Sequence, residues 1–176
     1  MEEQLTIQVH AYADLSPEEH EAADALSGDA SLEDPRFAGF EWAEADWLVV
    51  GRLGDLIVCT VKIALRDVIV GGQRVRVGGI GDVATMAEWR RRGFAAAAMT
   101  TVGEFLCNDL GADFGLLFCD THLLHYYSRF GWQRVDGPTM VEVPWGKVPF
   151  PEETMVLPCR QKEWPGGSVD RNGLPW

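Results

Sequence analysis

The sequence predicts an α/β (α+β) chain on one mixed central sheet, with antiparallel strands in its N-terminal half, a parallel pair further on and helices flanking the sheet. Three observations carry this. Residues 47–85 hold three apolar strand patterns in series, joined by short glycine turns, as consecutive antiparallel strands require. The apolar run Ile80 to Thr85 passes through a basic, glycine-bearing turn into a long helical pattern starting at Phe94. A further strand pattern follows that helix, and strand, crossover helix, strand is the order that makes parallel neighbours.

Taken in order, Leu5-Thr6-Ile7-Gln8-Val9 alternates as a strand does. Ser16-Pro17-Glu18-Glu19 then starts a helix: Ser16 caps it, Pro17 suits its first position, and the two glutamates suit the positive end of its dipole. Gly28 ends it. The mixed stretch from Asp29 to Asp46 predicts no regular element. Trp47 to Val50, Leu56 to Ile63 and Arg74 to Thr85 form the antiparallel series, turning at Arg52-Leu53-Gly54-Asp55 and Gly71-Gly72-Gln73. Glycines 78, 79 and 81 inside the third strand predict a bulge or the close approach of a ligand's backbone.

From Phe94 to Leu110 the apolar residues recur at helical spacing, with Gly111 as the C-cap. Ala112 to Cys119 reads as a strand, Leu123 to Phe130 as a short helix and Trp132 to Val135 as a strand. Thr139 to Val143 and Thr154 to Pro158 are two more strands, separated by a proline-stiffened loop, Pro144 to Pro151.

With 176 residues, 47% of them hydrophobic, the chain suffices for one domain, residues 1–176, with a full core. No apolar run is long enough to span a bilayer, and the acidic start lacks the basic region of a signal peptide, so the expectation is a cytoplasmic protein. A net charge of −12 argues against nucleic acid or an anionic membrane surface and favours a cationic partner. The oligomeric state stays open, a homodimer included. Cys59, Cys107, Cys119 and Cys159 are widely spaced, form no metal-ligand pattern and are expected to be buried free thiols; no metal site is expected.

Arg90-Arg91-Arg92-Gly93-Phe94-Ala95 carries the chemistry. A strand, a basic turn and a helix N-terminus together present free backbone N–H groups to an anion such as a pyrophosphate. Gly93 allows the turn, and a small residue at Ala95 lets an oxygen reach the backbone. Downstream, Tyr126-Tyr127-Ser128-Arg129-Phe130-Gly131-Trp132 sets a tyrosine after a second strand–helix unit.

These two motifs, in this order, resemble the GCN5-related N-acetyltransferase (GNAT) superfamily over residues 47–136. The resemblance implies the GNAT fold, a parallel strand pair splayed around acetyl-CoA, and the N-acetyltransferase activity. Within the superfamily the chain looks most like the aminoglycoside 2'-N-acetyltransferases, through Asp82-Val83-Ala84-Thr85-Met86-Ala87-Glu88-Trp89-Arg90, Tyr127 to Trp132, Gly137-Pro138-Thr139, Val156-Leu157-Pro158 and the final Trp176. It departs from that pattern at Leu174, where the family has an acidic residue, and at Gly81, with Asp82 one place along. A site that has lost one carboxylate is consistent with a smaller acceptor with fewer amines, of the kasugamycin type; antibiotic resistance is the outcome the resemblance implies.

The resemblance also distributes roles. Arg90, Arg91, Arg92 and the N–H groups of Gly93, Phe94 and Ala95 would hold the phosphates of acetyl-CoA. The backbone at Val83, Ala84 and Thr85 would hold the pantetheine arm and polarise the carbonyl. Asp82 is the first choice of general base, Glu88 and Glu142 being weaker ones, and a structural ion pair with Arg74 or Arg76 is an equal alternative for Asp82. Tyr127 is the expected general acid, its phenol near the ordinary value of about 10, and Tyr126 the core tyrosine. His122 and His125 stay in reserve, as does Cys119 as an acyl relay. Substrate contacts would come from Glu41, Asp82, Glu142 and Trp176, within a wider set that includes Glu33, Asp34, Glu44, Asp46, Glu152, Glu153, Asp170, Trp42, Trp145 and Trp164.

Overall fold

A computed structural model describes residues 4–28 and 34–176 of the chain; Glu33 lies outside the described residues. The strands are β1 (Leu5–Ala11), β2 (Trp47–Leu53), β3 (Leu56–Val70), β4 (Gln73–Thr85), β5 (Phe114–Cys119), β6 (Gln133–Val135), β7 (Thr139–Val143), β8 (Gly146–Pro149), β9 (Glu153–Pro158) and β10 (Val169–Asp170). The helices are α1 (Pro17–Ser27), α2 (Phe94–Glu104, continued by a π turn at Phe105–Asp109) and α3 (Leu124–Ser128).

All ten strands among the described residues join one curled mixed sheet, in the order β6-β9-β5-β4-β3-β10-β7-β8, with β2 on the first half of β3 and β1 outside it. β2, β3 and β4 are antiparallel, and β4 runs parallel to β5, as predicted. β6 does not pair with β5, because β9 inserts antiparallel between them. Two strands lay outside the sequence reading. β8 forms within the predicted proline loop, turning back on β7. The two-residue β10 wedges the C-terminal segment between β3 and β7, too short for a periodic signal.

Side-chain alternation along β2 sets the layers. Trp47 and Val49 pack with α2, whereas Leu48 and Val50 pack with Leu15 and Ala23 around α1. The two helices therefore cover opposite faces. Ser16 caps α1 as predicted: its Oγ accepts from the Glu19 N–H at 3.2 Å, and the Glu19 carboxylate accepts from the Ser16 N–H at 2.9 Å. Gly28, with φ of 63°, ends it.

The glycines of β4 serve packing on both faces. A Cβ at Gly78 would lie 2.2 Å from Leu106 Cδ2 on the α2 side, and one at Gly79 would lie 2.0 Å from Trp176 Cε2 on the α1 side. The bulge falls one residue beyond them. Thr60 faces Ala84 and Lys62 faces Gly81, so Asp82 and Val83 share one partner, and Asp82 adopts a left-handed φ of 48°.

The cysteine expectation needs correction. Cys107 and Cys159 form a disulfide, their Cα atoms 4.8 Å apart, which ties the π turn after α2 to the end of β9. Only Cys59 and Cys119 are buried free thiols. Fifty-two residues separate the bonded pair, and spacing alone gave no sign of it. No described helix is long and apolar enough to cross a membrane.

Candidate active site

β4 and β5 pair only from Val77 to Ile80 against Phe114 to Leu117. Beyond Ile80 the strands part, leaving the β5-facing edge of Gly81 to Thr85 unpaired. The Met86 N–H donates to Val58 O on β3 at 2.9 Å, so the two-residue alternation turns the N–H groups of Thr85 and Val83 away from β3, toward the opening.

At the far end of that edge lies the basic turn. Arg91 and Gly93 both take left-handed conformations, with φ of 62° and 82°, and swing the chain into α2. Among the described residues, none of the backbone N–H groups from Arg91 to Ala96 meets a protein acceptor; the first to do so is Ala97, donating to Gly93 O. These are the free donors an anion at a helix N-terminus needs. The three arginines diverge: Arg90 Nε donates to Thr85 O at 3.1 Å, Arg92 lies over the Trp89 ring at 4.5 Å, and Arg91 is exposed.

On the α1 face the same strand floors a cleft of about 380 Å³. Gly79, Gly81 and Asp82 of β4 form its base with Lys62 and Ala64 of β3, and Asp24 and Ser27 of α1, Tyr12, Trp42 to Ala45 and Trp176 form its walls. Strict alternation would turn Asp82 away from the face occupied by Gly79 and Gly81. The bulge brings it round, so the one-residue offset noted in the sequence still delivers a carboxylate to the cleft. Asp82 and Asp24 bracket the Lys62 ammonium at 3.0 and 3.2 Å. Burial pulls that ammonium down, but the hydrogen bond and charge of Asp82 more than offset it and hold Lys62 above its ordinary value. With Glu44, the cleft sets three carboxylates against one ammonium. Such a site favours a cation.

Tyr127 of α3 is buried in the core cluster that contains Ile80, Leu117 and Cys119, close to where β4 and β5 part. Burial pushes its phenol well above the ordinary value, and Cys119, Tyr126 and Glu152 add to the rise. The expected near-ordinary phenol is thus replaced by one that stays protonated across the physiological range, and Tyr127, rather than Tyr126, is the more buried of the pair.

Residues 2–135 match the family model for the acetyltransferase (GNAT) domain. The chain belongs to this family. Solved structures share the fold: ElaA of Escherichia coli, with a TM-score of 0.63 at 16% identity over 88% of this chain and 99% of that one; an acyl-CoA N-acyltransferase of Pseudomonas aeruginosa, at 0.61 and 19% over 88% and 99%; and the GNAT N-acetyltransferase YhbS of E. coli in complex with CoA, at 0.60 and 18% over 95% and 89%. The protein is an acyltransferase of the GNAT family, and its acyl donor is acetyl-CoA. The N–H groups without a protein acceptor at the α2 N-terminus and the unpaired edge of β4 fit that cofactor, one matching a diphosphate and the other an extended amide-bearing arm.

Of the residues singled out in the sequence, the GNAT fold gathers Asp82 and Trp176 at the cleft, and lines the opening and turn with Val83 to Thr85 and Arg90 to Ala95. It does not bring in Glu41, which is exposed outside the cleft, or Glu142, which faces Lys147 at 3.8 Å on the β7–β8 hairpin. Arg74 and Arg76 pair with Asp67, leaving Lys62 as the partner of Asp82. Cys119 is buried against Met155 Sδ at 3.8 Å, and burial pushes its thiol up to about 12, which removes it as a nucleophile. His122 and His125 are exposed. Asp34 and Asp120 hold Arg36 at 2.6 and 2.8 Å, with Glu152 at 4.0 Å, a network apart from the cleft lining. Sequence reasoning missed Lys62, Asp24 and Tyr12. A lone lysine between Val61 and Ile63 in a buried strand was the available signal.

Proposed function

We propose that the protein acetylates a primary amine of a cationic small molecule, with aminoglycosides as the substrate class, the 2'-amino group as the acceptor, kasugamycin-type compounds as first candidates and antibiotic resistance as the consequence. The observation that carries this reading is the acid-lined cleft against the unpaired edge of β4, walled by Trp42 and Trp176. Carboxylates attract the amines, and indole faces suit sugar rings and ammonium groups.

When bound, acetyl-CoA supplies an activated acetyl thioester. The N–H groups at 91–96 hold its diphosphate, and those of Val83 and Thr85 its arm and carbonyl. Asp82 accepts the proton that the acceptor ammonium must lose, directly or through a water, a contribution of about 10²–10⁴ in rate. Lys62 fixes that carboxylate against Asp24. Tyr127, kept protonated by burial, donates a proton to the departing thiolate.

The test is CoA release, followed with a thiol-reactive dye, across aminoglycosides including kasugamycin and across simple polyamines and amino acids. Release with an aminoglycoside supports the reading; silence with all of them refutes it. A second reading, another small polyamine as acceptor, draws on the same cleft, because three carboxylates select a cation without naming its skeleton. Turnover of the polyamines alone would establish it.

A further inference from the structure

Arg171, in the C-terminal segment just past β10, is charged, wholly buried and outside the acetyl-transfer chemistry. It has no exposed surface, and none of its three guanidinium nitrogens meets a hydrogen-bond acceptor among the described residues. Burying a charge in this way is strongly unfavourable unless the surroundings offset it. Those surroundings are aromatic: the ring centroids of Trp176, Phe118 and Phe150 lie 3.7, 4.3 and 5.1 Å from its Cζ. Cation–π attraction is greatest over an indole and when water is excluded, and both conditions hold here. Glu152 adds a favourable field, while Arg66 opposes it.

The indole it meets is the wall of the cleft. Trp176 lies so close over Gly79 that no side chain fits between them. The backbone around it is tied down at several points: Arg171 N–H donates to Met140 O at 2.9 Å, Pro175 O accepts from Ala43 N–H at 2.6 Å, and Leu174 O accepts from Arg66 Nη1 at 2.6 Å. These bonds fix the chain; the ring, whose Nε1 has no partner among the described residues, meets two guanidinium groups, Arg66 at 5.0 Å and Arg171 at 3.7 Å from its centroid. Arg171 is the nearest cation to that ring.

We propose that Arg171 is a positioning residue, its guanidinium stacked on the Trp176 indole to hold that ring as the wall against which the acceptor amine is bound. The proposal rests on the reading of the cleft as the acceptor site. Arg171→Met keeps the apolar volume and removes the cation, Arg171→Gln serves if the methionine variant does not fold, and Arg171→Lys restores a charge.

In steady-state kinetics the acceptor KM rises about tenfold in Arg171→Met, while kcat and the acetyl-CoA KM stay within about twofold, and Arg171→Lys recovers part of the loss. An unchanged acceptor KM overturns the proposal, as does a uniform fall in kcat and both KM values that tracks lost folded protein. An acceptor-free readout separates this from the parent reading: the indole N–H resonance of Trp176, assigned by its loss in Trp176→Phe, shifts in Arg171→Met or Arg171→Gln. If no amine is turned over but the resonance moves, the acceptor reading fails and the positioning role stands. A resonance that stays in place overturns the positioning role.

Discussion

Replacing Gly79 by alanine tests the contact on which the cleft wall depends. The new methyl would meet Trp176 Cε2 at 2.0 Å and Cζ2 and Nε1 at 2.4 Å. A rigid ring cannot give way as a flexible chain end would, so the indole must swing out or the strand must shift. Overpacking of this kind costs about 1–3 kcal/mol. For a chain of this size each kcal/mol lowers Tm by about 2–4 °C, so the expected fall is about 2–12 °C. Gly103→Ala is the control, because its methyl would meet only Leu157 Cδ2 at 3.4 Å, an ordinary contact, within α2. A helical glycine replaced by alanine gains about 0.5–1 kcal/mol, so this variant should melt slightly higher. Thermal denaturation with acceptor kinetics reads both. Gly79→Ala should lose stability and raise the acceptor KM, whereas Gly103→Ala should do neither. Equal Tm values, or an unaltered acceptor KM in a folded Gly79→Ala, would refute the packing of Trp176 on β4.

Asp82→Asn should lower kcat by about 10²-fold or more at unchanged acetyl-CoA affinity, whereas Glu41→Gln and Glu142→Gln should leave the acceptor KM within about twofold, all by the CoA-release assay. Tyr127→Phe should likewise reduce kcat by about 10²-fold, with calorimetry showing acetyl-CoA binding intact. The folded pKa of Tyr127 is raised above that of the unfolded chain, so its contribution to stability is fully present below the ordinary phenol value of 10.0 and is lost as pH rises through the folded value. Urea unfolding above pH of about 10 should therefore show falling stability in the wild type and a flatter profile in Tyr127→Phe. Ser16→Ala removes the capping box of α1 and should cost about 1 kcal/mol by urea unfolding, with acetyl-CoA affinity unchanged.

The parts legible in the sequence were those governed by local chemistry. Alternation gave β2, β3 and β4, and Ser16-Pro17-Glu18-Glu19 gave the start of α1, because capping and strand periodicity act within a few residues. The turn into α2 was readable for the same reason: Gly93 marks a helix start without any tertiary contact. What failed to show depends on distant partners. Glycines 78, 79 and 81 pointed to a bulge or to a ligand's close approach, and a bulge does follow them at Asp82, but nothing local showed that Leu106 and Trp176 arrive from elsewhere in the chain to fill the space at Gly78 and Gly79. The Cys107–Cys159 bond exists only once α2 docks beside β9. β10 is fixed by two neighbours rather than by its own two residues. At the candidate site, the type of side chain was readable at Asp82, Tyr127 and Trp176, but exposure was not: Tyr127 is buried, Glu41 and Glu142 lie outside the cleft, and Lys62, which holds Asp82, carried only the weak signal of a polar residue in an apolar strand.

The most direct measurement is calorimetric titration of CoA into the purified protein, with Gly93→Ala beside it. Gly93 holds a left-handed φ of 82° with open space around it, so alanine there adds about 1–2 kcal/mol of strain to the turn without a clash. Saturable heat of binding in the wild type, weakened about tenfold in Gly93→Ala, is the expected result. No heat in the wild type would contradict the assignment of the α2 N-terminus as the diphosphate site, and with it the placement of the acceptor against β4.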